Sequence, residues 1–170
     1  MGQSTYVSLN LSAPQPLAAA HLLGDFACGE PSLDEWLKRR AQSNQLSGAS
    51  RTFVVVDDEQ RVRGFYALAA GAVAHHMATS SVRRNMPDPA PVMVLGRLAV
   101  DRRAQGIQLG AALLQDAVHR AITVSQNTGV RALLVHALHE QAKAFYEHYG
   151  FQESPQHPMT LMLRLNSGKA

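Results

Sequence analysis

An apolar strand, a turn that contains glycine and an amphipathic helix follow one another between residues 92 and 126, and they constrain the fold most. Val92 to Val100 is an apolar run typical of a buried strand. Leu109 to Gln126 carries leucine and alanine at helical spacing, and Asn127-Thr128-Gly129 ends that helix. The sequence therefore predicts a strand–turn–helix unit with its glycines at the start of the helix.

The elements on either side of this unit predict a mixed α/β sheet. Ser32-Leu33-Asp34-Glu35 fits a capping box, so a first helix is expected to begin at Ser32. Residues 75–85 fit a short helix only weakly, and three prolines follow as a loop. The other predicted elements are strands at 6–11, 52–56, 62–73, 130–136 and 159–165 and a helix at 140–149. A β-meander followed by alternating helix and strand excludes a helix bundle and a β-sandwich.

The basic residues are almost all arginines. The chain has 170 residues, 16 Lys+Arg and 13 Asp+Glu, and only Lys38, Lys143 and Lys169 are lysines. A formal charge of +3 is mild, but guanidinium groups suit bidentate contacts to phosphate. Composition thus permits a phosphate-rich or nucleic-acid ligand, whereas the 46% hydrophobic content excludes a disordered chain.

Several features predict a cytoplasmic protein. The single Cys28 cannot form an internal disulfide, which suits a reducing compartment. The longest apolar run, Phe65 to Ala74, has about half the length of a membrane helix. Residues 1–11 lack the basic and apolar regions of a signal peptide, so no membrane association is expected.

The turn at residues 101–111 has the character of an anion site. Unpaired amides at a helix N-terminus point towards a ligand, and glycine lets a pyrophosphate approach closely. No Gly-Lys-Ser/Thr follows, which excludes a P-loop, and the spacing of Gly106 and Gly110 does not fit a dinucleotide fingerprint. An ordinary strand-to-helix turn with two glycines remains open on spacing alone.

This turn resembles the acetyl-CoA pyrophosphate loop of the GNAT superfamily of N-acetyltransferases, whose pattern is Arg/Gln-x-x-Gly-x-Gly/Ala. Arg103 and Gly106 match the pattern, and small residues follow at Gly110 and Ala111. Gln108 stands where Gly or Ala is usual. Its side chain is therefore expected to point away from the pyrophosphate, unless the loop differs locally.

A second stretch resembles the late GNAT motif, Asn-x-x-Ala-x-x-x-Tyr-x-x-x-Gly-Phe. Ala142, Tyr146, Gly150 and Phe151 match it, and His139 stands where Asn is common. Two motifs in the right order identify the chain as a member of the superfamily. The implied fold is a single GNAT-like domain over residues 1–170, with a central mixed, mostly antiparallel sheet flanked by helices.

The resemblance implies acetyl-CoA as the co-substrate and assigns roles by position. Tyr146 matches the family's general acid, a phenol that can donate a proton to a leaving thiolate. A half-buried structural tyrosine is the alternative, and Tyr149 is expected in the core. The positions expected to bind acetyl-CoA, through strand backbone or loop amides, are Leu98, Ala99, Val100, Arg103, Gln105, Gly106, Gln108, Leu109, Gly110 and Ala111. Arg102 or Arg103 would add charge, although a solvated loop is equally compatible.

The amino-terminal half also resembles GNAT toxins of the TacT and AtaT type. The likeness covers residue 21 onward and includes residues 26–37, 48–55, 91–101 and 143–146. It implies a homodimeric toxin that acetylates the α-amino group of aminoacyl-tRNA and blocks translation. It also implies a ribbon–helix–helix antitoxin as partner, with operator DNA bound only through that antitoxin.

Arginines are the candidates for tRNA contact, and the alternatives stay open. The candidate set is Arg39, Arg40, Arg83, Arg84 and Arg97. Each one also fits a solvated face, and Arg97 also fits a structural ion pair within its strand. No metal is expected, because the histidine pairs 75–76 and 136/139 lack further ligands at matching spacing. Other functions left open are acetylation of a small amine or a protein N-terminus, and acyl-CoA binding without catalysis.

Overall fold

The computed structural model describes residues 10–165. Its strands are β1 (Gln15–Pro16), β2 (Arg51–Val56), β3 (Val62–Val73), β4 (Ala90–Val100), β5 (Ala132–His136), β6 (Gln152–Glu153) and β7 (Thr160–Arg164). Its α-helices are α1 (Pro31–Arg39), α2 (Ala41–Ser47), α3 (Ser80–Arg83), α4 (Leu109–Asn127) and α5 (Glu140–His148), and His75–Met77 and Arg102–Ala104 form 3-10 turns. The strand predicted at 6–11 lies outside the described residues except for Asn10 and Leu11, which belong to no strand.

The described strands form one sheet in the order β1-β2-β3-β4-β5-β7-β6. β4 and β5 are parallel over four residue pairs, from Val92↔Ala132 to Leu95↔Val135. The pairs β1–β2, β2–β3, β5–β7 and β6–β7 are antiparallel. The prediction of a mixed, mostly antiparallel sheet with helices is confirmed.

The chain divides into two compact units. The first comprises Met1–Leu68 and Arg97–Asp116. Its core contains Phe26 and Phe65 in edge-to-face contact at 5.4 Å, and Trp36 of α1 stacks on Phe65. Gly64 lets α4 approach β3 closely, because a Cβ atom there would lie 3.0 Å from the side chain of Leu113.

The second unit comprises Ala69–Gly96 and Ala117–Ala170. Aliphatic side chains fill its core, among them Val92 on β4, Leu134 on β5 and Met162 on β7. The hydroxyl of Ser154 donates to the carbonyl of Met77 at 2.6 Å. Among the described residues, no helix is long and apolar enough to cross a membrane.

Most predicted elements are confirmed within two residues, but the predicted capping box is wrong. Helix α1 has Glu30 as its N-cap and no side-chain capping bond, with Pro31 in its first turn. Proline suits that position because its missing N–H is one that a helix leaves unpaired there. The carboxylate of Asp34 instead accepts a hydrogen bond from the amide of Cys28. The two-residue strands β1 and β6 were not predicted.

Candidate active site

The turn between β4 and α4 twice adopts a left-handed backbone. Gly106 has φ of 85° and Gln108 has φ of 66°. Glycine takes this conformation without strain, whereas a residue with a Cβ atom is held there at a cost of about 1–2 kcal/mol. The departure of Gln108 from the GNAT pattern therefore coincides with a backbone conformation that favours glycine.

The start of α4 offers amides to a ligand. Ala112 donates to the carbonyl of Gln108 at 3.2 Å. The amides of Leu109, Gly110 and Ala111 therefore precede the first turn of hydrogen bonds, where a helix leaves its N–H groups without intrahelical partners. Together with the positive end of the helix dipole, they suit an anion such as a pyrophosphate.

A buried carboxylate holds this turn in shape. Asp101 has no solvent exposure, and it caps the 3-10 turn by accepting from the amide of Arg103 at 2.9 Å. It also accepts from the amide of Ala27 at 3.0 Å and from Nε of Arg103 at 3.0 Å. Burial alone would raise the pKa of this carboxyl, but the hydrogen bonds from Arg103 and Ala27 outweigh it and leave the pKa below its usual value.

Two of the three polar side chains in the predicted loop set, those of Arg103 and Gln105, bond to neighbouring protein groups although both residues are exposed. The guanidinium of Arg103 donates to the carbonyl of Asp25 at 2.7 Å and lies 3.2 Å from its carboxylate. The amide of Gln105 donates to the carbonyls of Val100 and Cys28, at 2.9 and 3.1 Å. Both therefore brace the loop. Arg102 is also exposed, but it forms no ion pair with the described residues.

The end of β4 lies beyond its pairing with β5. The parallel register stops at Leu95↔Val135, whereas β4 continues to Val100. The side chain of Ala99 is buried, and Leu98 and Val100 are half-buried. The backbone of residues 98–100 thus fits the predicted role of a strand to which an extended amide-bearing arm adds.

Tyr146 lies on α5 in an aromatic cluster. Its ring centroid is 5.3 Å from that of Phe145 and 5.4 Å from that of Phe151. The side chain is 8% exposed, and burial raises the pKa of its phenol to about 12. Tyr149 is 42% exposed rather than in the core, because α5 ends at His148 and Tyr149 forms its C-cap.

His139 explains a second departure from the family pattern. It is the N-cap of α5, and its Nδ1 accepts from the amide of Ala142 at 3.1 Å. Asn is among the preferred N-cap residues for the same reason, since its side-chain oxygen accepts a backbone N–H. The described residues contain no group of His, Cys, Asp and Glu that could hold a metal ion.

The five candidate arginines differ in their surroundings. Arg39 pairs with Glu35 at 2.8 Å on α1, and Arg40 is exposed. In the second unit Arg83 and Arg84 are both exposed. Arg97 lies on β4 as predicted, but it forms no ion pair with any residue between 10 and 165: its guanidinium lies 4.4 Å from the ring centre of Trp36, and burial lowers its pKa.

The strand order and the strand–turn–helix unit of β4 and α4 are those of an N-acetyltransferase of the GNAT fold. The acetyltransferase (GNAT) domain model matches residues 48–153, and the chain belongs to that family. It is 52% identical over 159 residues to a tRNA-acetylating toxin of Mycobacterium tuberculosis, covering 94% of this chain and 95% of that one.

Solved structures agree with this assignment. AtaT complexed with acetyl-methionyl-tRNAfMet matches with a TM-score of 0.84 and 27% identity, over 91% of this chain and 95% of that one. AtaTR bound with acetyl-CoA matches with a TM-score of 0.78 and 28% identity, over 91% of this chain and 94% of the other. The predictions of an acetyltransferase and of its fold are confirmed.

Proposed function

We propose that this chain is the toxin of a toxin–antitoxin pair and acetylates the α-amino group of aminoacyl-tRNA with acetyl-CoA, which blocks translation. The observation that carries the proposal is the 52% identity, along nearly the whole chain, to a tRNA-acetylating toxin. The proposal treats residues 1–170 as one acetyltransferase domain. Because charged tRNA is made and used in the cytoplasm, it includes a cytoplasmic location.

Acetyl-CoA binds in this proposal through backbone rather than through side chains. The amides of Leu109, Gly110 and Ala111 receive the pyrophosphate, and Gly106 leaves room for it because its added Cβ would meet no atom within 4 Å. The backbone of Leu98, Ala99 and Val100 pairs with the pantetheine arm. Gln108 contributes its backbone, while Arg103 and Gln105 maintain the shape of the loop. Arg102 is the residue that adds free positive charge.

The chemistry needs a neutral amine and an acid for the departing thiolate. An α-amino group has a pKa of about 7.7–8.0, so a useful fraction is neutral at cytoplasmic pH without a strong general base. The thiolate is the group that benefits from a donor. Tyr146 supplies it, because a phenol with a pKa of about 12 stays protonated throughout the physiological range.

The tRNA contacts are assigned to arginine. Arg39, Arg40, Arg83 and Arg84 are exposed, and we assign them to phosphates of the tRNA backbone. Arg97 is held against Trp36 and is assigned to orienting that indole rather than to a phosphate. The proposal further includes a homodimer and a ribbon–helix–helix antitoxin, through which alone operator DNA is bound.

The test is acetyl transfer from radiolabelled acetyl-CoA in the presence of total charged tRNA. Label on the aminoacyl group of tRNA, released as N-acetyl amino acid by mild base, supports the proposal. Label on free amines or on protein N-termini alone would establish the other GNAT function instead. Acetyl-CoA binding with no transfer to any acceptor would establish a non-catalytic acyl-CoA-binding protein.

A further inference from the structure

A cleft of about 310 Å³ lies at one end of the second unit, where α4 ends and β5 begins. Its lining contains two arginines, Arg131 just before β5 and Arg164 at the end of β7. The two segments are adjacent, because Ala132 pairs with Arg164 and the amide of Leu165 donates to the carbonyl of Arg131 at 3.0 Å. The described lining residues include no aspartate or glutamate.

The two guanidinium groups lack a counter-charge. Neither Arg131 nor Arg164 forms an ion pair with any described residue, and the one side-chain bond of Arg131 is a long contact of 3.4 Å to the carbonyl of Arg84. Burial and the neighbouring charge of Arg164 both lower the pKa of Arg131. Two like charges are thus held beside one cleft at an electrostatic cost that an anion would remove.

The C-terminus of α4 does not supply the missing negative charge. A helix C-terminus is equivalent to about half an elementary negative charge, against two full positive charges. Two carbonyls near its end also accept side-chain hydrogen bonds: Thr128 donates to the carbonyl of Val124 and Asn127 to that of Thr123, both at 2.8 Å. The net field in the cleft therefore favours an anion.

The cleft also adjoins two of the predicted tRNA contacts. The contact from Arg131 to Arg84 links the cleft to the exposed Arg83-Arg84 pair at the end of α3. The hydroxyl of Ser125 donates to the carbonyl of Ile122 at 2.7 Å, so its proton is already used within α4. Guanidinium groups, not hydroxyls, are hence the recognition elements here.

We propose that Arg131 and Arg164 form a phosphate-binding cleft that, with Arg83 and Arg84, holds phosphates of the tRNA backbone. This inference rests on the proposed function, since it names the residues of the second unit that bind the same tRNA substrate. The ligand chemistry is a phosphate group, and its two sources are RNA and free phosphate. The RNA is favoured because four arginines on one unit suit a polyanion better than a single small ion.

The test measures the affinity for uncharged total tRNA by fluorescence anisotropy between about 0.05 and 0.5 M NaCl. Each lost phosphate contact lowers the slope of log K against log [salt] by about 0.7–0.9. The Arg131→Gln/Arg164→Gln double variant is therefore expected to lower the slope by about 1.5 and the affinity at 0.1 M salt by roughly 10- to 50-fold. Its acetyl-CoA affinity and its melting temperature, which report folding, are expected to stay at wild-type values.

The matched control is the Lys38→Gln/Arg51→Gln double variant, which removes the same charge from exposed positions of the first unit. It is expected to leave the slope unchanged. An equal fall of the slope in both variants would show that only net charge matters and would overturn the proposal that the cleft binds phosphate. An unchanged slope in the Arg131→Gln/Arg164→Gln variant would overturn it as well. A titration with inorganic phosphate distinguishes RNA from free phosphate as the ligand. The RNA assignment would be overturned if phosphate binds saturably below about 1 mM and this binding is lost in the double variant, while the salt slope for tRNA does not change.

Failure here is distinguishable from failure of the proposed function. If wild-type protein acetylates charged tRNA and the double variant keeps the wild-type salt slope, only the cleft is refuted. If wild-type protein acetylates no tRNA, the proposed function fails, and the binding slopes still decide whether the cleft holds RNA.

Discussion

The turn before α4 and the aromatic cluster on α5 are both assigned to the same reaction, yet they are built in opposite ways. In the turn, Asp101 is buried with its oxygens occupied by Arg103 and Ala27, and burial does not prevent ionisation. In the cluster, Tyr146 is buried among Phe145 and Phe151, and burial alone determines its pKa.

The turn provides a fixed backbone geometry, whereas the aromatic cluster provides a proton donor. A turn that must present backbone amides needs a fixed geometry, and a buried charge that receives several hydrogen bonds provides it. A proton donor needs to remain protonated, and an apolar surrounding provides that. Substitutions in the turn should therefore change folding stability and acetyl-CoA affinity, whereas substitutions at the phenol should change the rate of transfer.

The largest effect is expected from Tyr146→Phe. Removing the hydroxyl and keeping the ring should lower kcat for acetyl transfer by about 10²–10⁴-fold, the usual contribution of a general acid. Single-turnover transfer from labelled acetyl-CoA to aminoacyl-tRNA measures the rate, and calorimetry checks that acetyl-CoA affinity is unchanged. Tyr149→Phe, an exposed tyrosine three residues along, is the control and should keep wild-type kcat. Equal kcat in all three proteins would assign Tyr146 a structural role.

Asp101→Asn should have the largest effect on stability. The amide removes a buried carboxylate that lies 3.5 Å from Arg63 and 3.0 Å from Arg103, although Arg63 keeps Asp57 at 3.1 Å and Arg103 keeps Asp25 at 3.2 Å. The free energy of unfolding in urea should fall by about 1–3 kcal/mol at pH 7, the usual cost of disrupting hydrogen bonds to a buried charged group. Asp58→Asn, an exposed carboxylate in the β2–β3 turn, should change it by less than about 0.5 kcal/mol.

The pH dependence of the unfolding free energy also tests whether the charge of Asp101 stabilises the turn. Because the pKa of Asp101 is lowered in the folded protein, its contribution is present above the unfolded value of about 3.9 and is lost as pH falls through the lower folded value. The difference in unfolding free energy between wild type and Asp101→Asn should therefore shrink below about pH 4. A difference that stays constant down to pH 3 would show that the charge of Asp101 does not stabilise the turn.

The rate of transfer should also rise with pH, but in a higher pH range. A pKa of about 12 keeps the phenol of Tyr146 protonated, so kcat/KM should rise up to about pH 8 as the substrate amine loses its proton and then stay level to pH 9.5. Initial rates with a hydrolysis-corrected aminoacyl-tRNA concentration measure this profile. A fall of kcat/KM between pH 8.5 and 9.5 would contradict a pKa of the Tyr146 phenol that is raised by burial.

Helices and strands with a local apolar pattern could be predicted from the sequence, whereas contacts between residues far apart in the chain could not. Strand β3 was predicted with the bounds that the structure has, Val62–Val73, because a turn at residues 57–60 between two apolar runs is typical of a hairpin. The role of Asp101 was not predicted, because its partners Ala27 and Arg63 are 74 and 38 residues away in the sequence. An aspartate directly after an apolar strand was the only local signal. Similarly, Arg131 and Arg164 stand alone in sequence and meet only through the pairing of β5 with β7.

Gln108→Gly is expected to have the smallest effect on stability, and it tests whether the turn is strained at residue 108. Glycine removes about 1–2 kcal/mol of left-handed strain at φ of 66°, but its unfolded chain gains entropy worth about 0.4–1 kcal/mol. The free energy of unfolding should therefore rise by at most about 1.6 kcal/mol, while Gln108→Val, which adds a β-branch at the same φ, should lower it. Because the amides of Leu109 to Ala111 stay in place in both variants, both should keep the acetyl-CoA affinity of the wild type. An equal loss of affinity in Gln108→Gly and Gln108→Val would show instead that the glutamine side chain contacts the ligand.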